Sequence, residues 1–193
     1  MNTSTNENLI AIHAALMVFV WLAAVPLGVI IAMFGRQYNM TWWPKAHMSI
    51  MAGAVAMPLT TAAIAAFAVA GKINAKPHSL LGTIIVFGAW IQITLGVVNH
   101  LVYRYRHKNN NVPLNRPWNN SAHIWLGRLL TALAFINIPL GMRIKQSSVS
   151  LYVGFAIWTA LLVFVFLGLT WNKYKRTSEA RCEMRAKDEA SIG

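Results

Sequence analysis

Apolar residues run through this chain in long blocks rather than in alternation. Stretches free of Asp, Glu, Lys and Arg lie between Glu7 and Arg36, Lys45 and Lys72, Lys76 and Arg104, and Lys145 and Lys173. A fifth block, residues 117–142, is interrupted only by Arg128. A helix needs about 20 apolar residues to cross a bilayer, and every block exceeds that length. Strands do not use runs this long, and a soluble domain cannot bury five of them. The pattern predicts an all-α membrane protein with five transmembrane helices, over residues 9–35, 43–70, 78–105, 121–143 and 148–171. Pro44 suits the first turn of the second helix, and Ser121 is a reasonable cap for the fourth. Pro58 and Pro139 should bend the helices that hold them. The first helix is too long for the core of a signal peptide, and no small-residue cleavage site followed by a soluble domain comes after it. It is therefore expected to stay. No repeat is read at solenoid periods.

Composition agrees with this class: hydrophobic residues make up 56% of the chain, charged residues 11%, and the mean hydropathy is +0.48. The net charge of +12 raises the question of nucleic acid, and its distribution answers it. The amino terminus, second loop and fourth loop hold four basic residues, Lys72, Lys76, Arg143 and Lys145. The first loop, third loop and carboxyl tail hold twelve, and Arg128 lies within a helix. Basic residues favour the cytoplasmic side, so the amino terminus is expected outside and the tail in the cytoplasm. The charge is mostly a topology signal, with anionic lipid or an anionic substrate as secondary partners. No nucleic-acid partner is implied. Residues 1–8 then form an extracytoplasmic terminus, 9–143 a four-helix core, 148–172 a peripheral fifth helix, and 173–193 a charged cytoplasmic tail with helical character. Trp42, Trp43, Trp118, Trp125 and Trp171 fall near the cytoplasmic ends, where interfacial aromatics belong.

Four of the five predicted spans carry a histidine near their amino-terminal ends: His13, His47, His78 and His123. An ionisable residue in a span is costly and is a functional candidate by default. One such histidine alone is as readily an interfacial hydrogen-bonding residue. Four, one per helix and none in the fifth, argue for more. Because the helices alternate in direction, His13 meets His78 near the outer face and His47 meets His123 near the inner face. In an up-down bundle these pairs lie on the two diagonals, where bundle cofactors sit. Paired imidazoles fill both axial positions of a haem iron. Glycines 28, 53, 82, 88, 96 and 127 leave room for a flat macrocycle or for close helix contacts. The predicted cofactors are two haem b groups with these four histidines as axial iron ligands. Covalent attachment through Cys-x-x-Cys-His is excluded by a single cysteine, Cys182, in the tail. His100 could in principle replace His47 or His123, but is placed beside a substrate pocket or read as interfacial polarity; His107 is read as solvated. Arg128, about 7.5 Å deeper than His123 along the helix, is assigned to a haem propionate or to snorkelling. The spans hold no Asp or Glu, which argues against a proton pump.

The motifs support a resemblance. His13-Ala-Ala-Leu-Met with Gly35-Arg36, Trp43-x-x-x-His47, His78-Ser-x-x-Gly82 with Gln92 and Gly96, and His123-x-x-x-Gly127 with Asn137 and Gly141 occur in order. Together they resemble the four core helices of the eukaryotic cytochrome b561 family over residues 12–142, above all its DOMON-associated type. The resemblance implies two b haems, with His13 paired to His78 and His47 to His123. It also implies transmembrane electron transfer, often from cytoplasmic ascorbate to ferric iron or monodehydroascorbate outside. The pattern is read without the extra leading helix of the six-helix members, and a DOMON domain is not expected with the core. Of the lysines those members carry before the second core helix, only Lys45 is near. Substrate docking is therefore sought at Arg36, Lys45 and Arg116, for which topology charge is an equal reading. On the outer face Lys72, Lys76 and Arg143 could attract an anionic acceptor.

The resulting expectation is an ascorbate-dependent transmembrane oxidoreductase, ferric-reductase-like, in the plasma membrane or an internal vesicle, alone or as a homodimer. Two alternatives stand beside it. One keeps the haems in a quinol-linked membrane anchor of a larger complex. The other, disfavoured by the lack of carboxylate and cysteine ligands, is a zinc or copper transporter.

Overall fold

The structure is a computed structural model that describes residues 3–35, 37–38, 40–71, 76–113 and 115–192, with side chains set aside at 180 and 184–192. Five helices among these residues are long and apolar enough to cross a membrane. They are α1 (Thr3–Gly35), α2 (Trp43–Ala70), α3 (Pro77–Lys108) and α4 (Trp118–Ile144), followed by α5 (Val149–Ile192). The expected all-α membrane fold with five spans holds.

Local chemistry sets the ends. Gly71 closes α2 at φ 68°, its N–H donating to the Phe67 carbonyl at 2.8 Å, because a left-handed cap is open to glycine at little cost. Helix α4 starts earlier than Ser121. Pro117 is its extended cap residue, and the Asn120 and Ser121 amides both donate to the Pro117 carbonyl at 3.2 Å. Helix α5 runs unbroken through residues 173–192, past the apolar span, and its charged residues from Lys173 to Glu183 are exposed.

Prolines shape α1 and α2 from within. Proline has no N–H to donate and its ring crowds the carbonyl four residues back. In α1 a π turn, Val20–Ala24, stands just before Pro26, with the Val25 amide donating to the Val20 carbonyl. In α2 a longer π stretch, Ile50–Ala56, stands just before Pro58. Of the two prolines where the sequence predicted a bend, Pro58 follows such a widened stretch and Pro139 stands inside an α-helix; the turn before Pro26 was not predicted.

The helices pack as two hairpins, α1 with α2 and α3 with α4, and the hairpins meet mainly through the two π segments. The core lies at mid-bundle, where Val20, Trp21, Ala24 and Val25 pack with Val55, Leu59, Ile85, Ala89, Leu130 and Ala134. Leu59 and Val20 are fully buried. All four helices contribute, which leaves an apolar plug between the two ends of the bundle. Among the described residues helix α5 adds nothing to this core; its apolar span has no fully buried residue, and one stripe along it, Tyr152, Phe155, Thr159, Leu162, Phe166 and Leu169, is half-buried. Its polar contacts include one to α1 and, just beyond α1, an Asn172 side-chain N–H that donates to the Tyr38 hydroxyl at 3.5 Å. The Trp158 indole N–H donates to the Leu22 carbonyl at 2.9 Å, the acceptor that Pro26 leaves without its helical partner. Phe155 and Phe135, 6.2 Å apart between ring centres, add an apolar contact to α4.

Candidate functional site

The four histidines stand in two layers, above and below the apolar plug. His13 and His78 face each other with ring centres 6.1 Å apart and planes at 87°. His47 and His123 lie within electrostatic reach of each other. All four are half-buried. The structure thus sets His13 against His78, with His47 and His123 in the other layer.

Each imidazole is held the same way. His13 Nδ1–H donates to the Ala62 carbonyl at 2.9 Å, and His47 Nδ1–H to the Gly28 carbonyl at 2.9 Å. His78 Nδ1–H donates to the Asn137 carbonyl at 3.1 Å, and His123 Nδ1–H to the Gln92 carbonyl at 3.2 Å. A carbonyl oxygen can only accept, so every Nδ1 carries a proton, and in the neutral ring every Nε2 keeps its lone pair. Each acceptor lies on the other helix of the same hairpin. Hydrogen bonding of this kind fixes the tautomer, steadies the ring and makes the opposite nitrogen a better metal ligand.

These features fit a haem with two axial imidazoles. Metal–nitrogen bonds of about 2 Å, with half an imidazole on each side, put such ring centres about 6 Å apart, close to the spacing of His13 and His78. Zinc sites use three or four protein ligands. Among the described residues no group of three or more His, Cys, Asp or Glu is gathered.

The register that makes the bonds possible is symmetrical, and sequence reading missed it. Residues 78, 82, 92 and 96 are His, Gly, Gln and Gly; residues 123, 127, 137 and 141 are His, Gly, Asn and Gly. One pattern occurs twice, 45 residues apart, on antiparallel helices. Each histidine therefore lands opposite the amide residue of the other copy. The glycines make room: a Cβ on Gly141 would lie 2.7 Å from His78 Cε1, and one on Gly127 2.7 Å from Gln92 Nε2. Helices α1 and α2 follow the same plan, each supplying a histidine and, 15 residues later, an acceptor, Gly28 or Ala62. In α3 and α4 the spacing is 14 residues. The extra residue in α1 and α2 matches their π turns, since a π turn takes up one residue more than an α turn. The signal was in the spacing of His, Gly and Gln/Asn, which a search for solenoid periods does not weigh.

Other predicted residues lie outside this arrangement. Lys45 and Arg116 are exposed. Arg36 and Lys72 fall outside the described residues. Arg128 is turned about 140° around α4 from His123; its guanidinium carbon lies 4.8 Å from the centre of the exposed Trp125 ring. Lys76 and Arg143 are exposed at the other end. His100 is half-buried one residue beyond Asn99, whose side-chain amide donates to the Asn119 carbonyl at 3.2 Å. His107 is exposed, its ring centre 5.9 Å from that of Tyr103.

A membrane bundle with two layers of Nδ1-anchored histidine pairs defines a class, a protein equipped to hold b-type haem. The chain is 26% identical over 178 residues to a cytochrome b561 and DOMON domain-containing protein of Arabidopsis thaliana. The match covers 90% of this chain and 45% of the relative, so the chain spans less than half of that protein's length. This likeness supports a relationship to cytochrome b561. No family model matches the chain, and no solved structure does either.

Proposed function

We propose that this protein carries electrons across a membrane through two b-type haems, one held by His13 and His78 and the other by His47 and His123. The observation that supports it most is that all four Nδ1 atoms are spent on carbonyls, which leaves four Nε2 atoms in two layers. A haem bound at each layer supplies reversible one-electron oxidation and reduction without an open position for oxygen. The side chains do the rest. The carbonyls of Ala62, Gly28, Asn137 and Gln92 hold the imidazoles in one tautomer. The mid-bundle core excludes water between the layers. Residues 14 or 15 apart on a helix set the layers about 21 Å apart along the bundle, enough to serve both faces.

In this reading His47 and His123 stand on the cytoplasmic side and take electrons from ascorbate, while His13 and His78 stand outside and deliver them to ferric chelates or monodehydroascorbate. Lys45, Arg116 and Arg36 are the docking candidates for the anionic donor, and Lys76 and Arg143 for an anionic acceptor. A second reading, electron exchange with a soluble domain or quinol, is favoured by one fact. The matched relative is more than twice as long as the shared stretch and is named for a second domain.

The test is a visible spectrum of the detergent-purified protein before and after ascorbate, with haem per chain from a pyridine assay. Two low-spin b haems reduced by ascorbate support the whole proposal. Two haems inert to ascorbate move the donor to quinol or a protein. No haem in protein made with ample haem supply overturns it.

A further inference from the structure

We propose that the side-chain amides of Gln92 and Asn137 are positioning residues that set the reduction equilibria of the two sites separately. Gln92 would govern the site of His47 and His123, and Asn137 that of His13 and His78. The inference rests on the haem reading above and adds to it which residues beyond the ligands control each centre.

The two amides occupy the same position in the repeated pattern, opposite the histidine of the neighbouring copy. Gln92 grips His123 twice. Its backbone carbonyl accepts from His123 Nδ1–H at 3.2 Å, and its side-chain Nε2–H donates to the His123 carbonyl at 2.6 Å. The imidazole is thus fixed from both its ring and its own peptide. At the other face Asn137, one methylene shorter, meets His78 through its backbone oxygen at 3.1 Å. Both amides lie against glycine backbone. A Cβ on Gly127 would come within 2.7 Å of Gln92 Nε2, and one on Gly82 within 3.2 Å of Asn137 Nδ2.

The remaining oxygens leave these amides with polar capacity that no helix contact uses. Gln92 Oε1 and Asn137 Oδ1 are both buried without a hydrogen-bond partner. Buried polar atoms are normally paired, and an unpaired one in a low-dielectric interior keeps its full field. In this proposal each uncompensated oxygen sets the negative end of an amide dipole toward the imidazole pair of its layer. That dipole favours the more positive, oxidised state of a bound iron. A firm Nδ1–H···O bond works in the same direction by making the ligand more basic. Loss of the amide weakens both effects and moves the equilibrium toward the reduced state.

The experiment is an optical redox titration of the full-length, haem-loaded protein, with haem stoichiometry measured alongside. The midpoints are assigned with His13→Ala, which leaves only the site of His47 and His123. Gln92→Leu is expected to keep two haems and to shift the equilibrium at that one site about tenfold toward reduction, 59 mV for a one-electron couple. Asn137→Leu is expected to move the other site alone, and by less, because Gln92 makes the second grip. Gln92→Asn, which keeps an amide, should shift the equilibrium less than Gln92→Leu. Where Gln92→Leu does not accumulate, the unbranched Gln92→Met takes its place. Midpoints that stay put, or that move together in either variant, overturn the inference while leaving the haem reading intact. Loss of haem in the leucine, methionine and asparagine variants alike also overturns it, since the amide would then be part of the scaffold. Wild-type protein with no haem removes both readings together.

Discussion

A histidine in a membrane helix becomes a ligand only if one nitrogen is occupied and the other is free. That condition is met four times here through carbonyls of neighbouring helices. Removing one imidazole should therefore empty one layer and spare the other. His47→Ala or His123→Ala is expected to lower haem from two per chain to one, as measured by the pyridine assay, and His13→Ala or His78→Ala to do the same at the opposite layer. Two haems retained in all four variants would refute the ligand set. Crowding at Gly141 gives a subtler test. The Cβ of Gly141→Ala would fall 2.7 Å from His78 Cε1, so the ring must move. A cost of about 1–3 kcal/mol is typical of such overpacking, with haem lost first from the site of His13 and His78. Unchanged melting temperature and stoichiometry would show that the ring has room to yield. The histidines were legible in the sequence because each stood out in an apolar block. Their acceptors were not, because any residue can offer a carbonyl and only helix register selects which one does.

Helices here owe their boundaries to local chemistry and their internal shape to prolines. A bend was expected at Pro58 and not at Pro26, yet a π segment stands before each. Proline dictates only that a donor is lost; how the backbone adapts depends on neighbours that need particular side chains in register. The carbonyl freed by Pro26 then becomes the polar anchor for α5 through Trp158. Interhelical hydrogen bonds inside membranes average about 0.6 kcal/mol. Trp158→Phe keeps the ring and drops the donor, so it is expected to destabilise the protein by roughly that amount. Haem content should not change, because the Trp158 indole meets α1 at Leu22, between the two histidine layers. Thermal unfolding in detergent reads the first effect and the pyridine assay the second. Haem loss in Trp158→Phe would show that α5 supports the sites after all.

Taken together, the five helices form a four-helix unit with a long fifth helix on its flank, and the orientation of that assembly rests on charge. The single cysteine offers a direct check. Cys182 is exposed on the extension of α5, on the side that holds twelve of the 17 lysines and arginines. In sealed right-side-out cells an impermeant maleimide is expected to leave Cys182 unlabelled until the membrane is opened. Labelling of intact cells would invert the topology and exchange the roles of the two histidine layers.

Five spans, their alternation, the histidine in each of four and the asymmetry of basic charge follow from composition and order along the chain. Those features are one-dimensional: a bilayer selects apolar length, and helices of that length must alternate. Such reasoning also paired the histidines, because depth along a helix is fixed by its rise. Rotation about the helix axis, by contrast, is set by packing. Which carbonyl meets each Nδ1, why α1 and α2 need a π turn and a spacing one residue longer, where Arg128 points and how α5 attaches were settled only when the helices came together. The repeat of His, Gly, Gln/Asn and Gly lay in the sequence throughout, and it acquired meaning once the antiparallel register of α3 and α4 set each member opposite its counterpart.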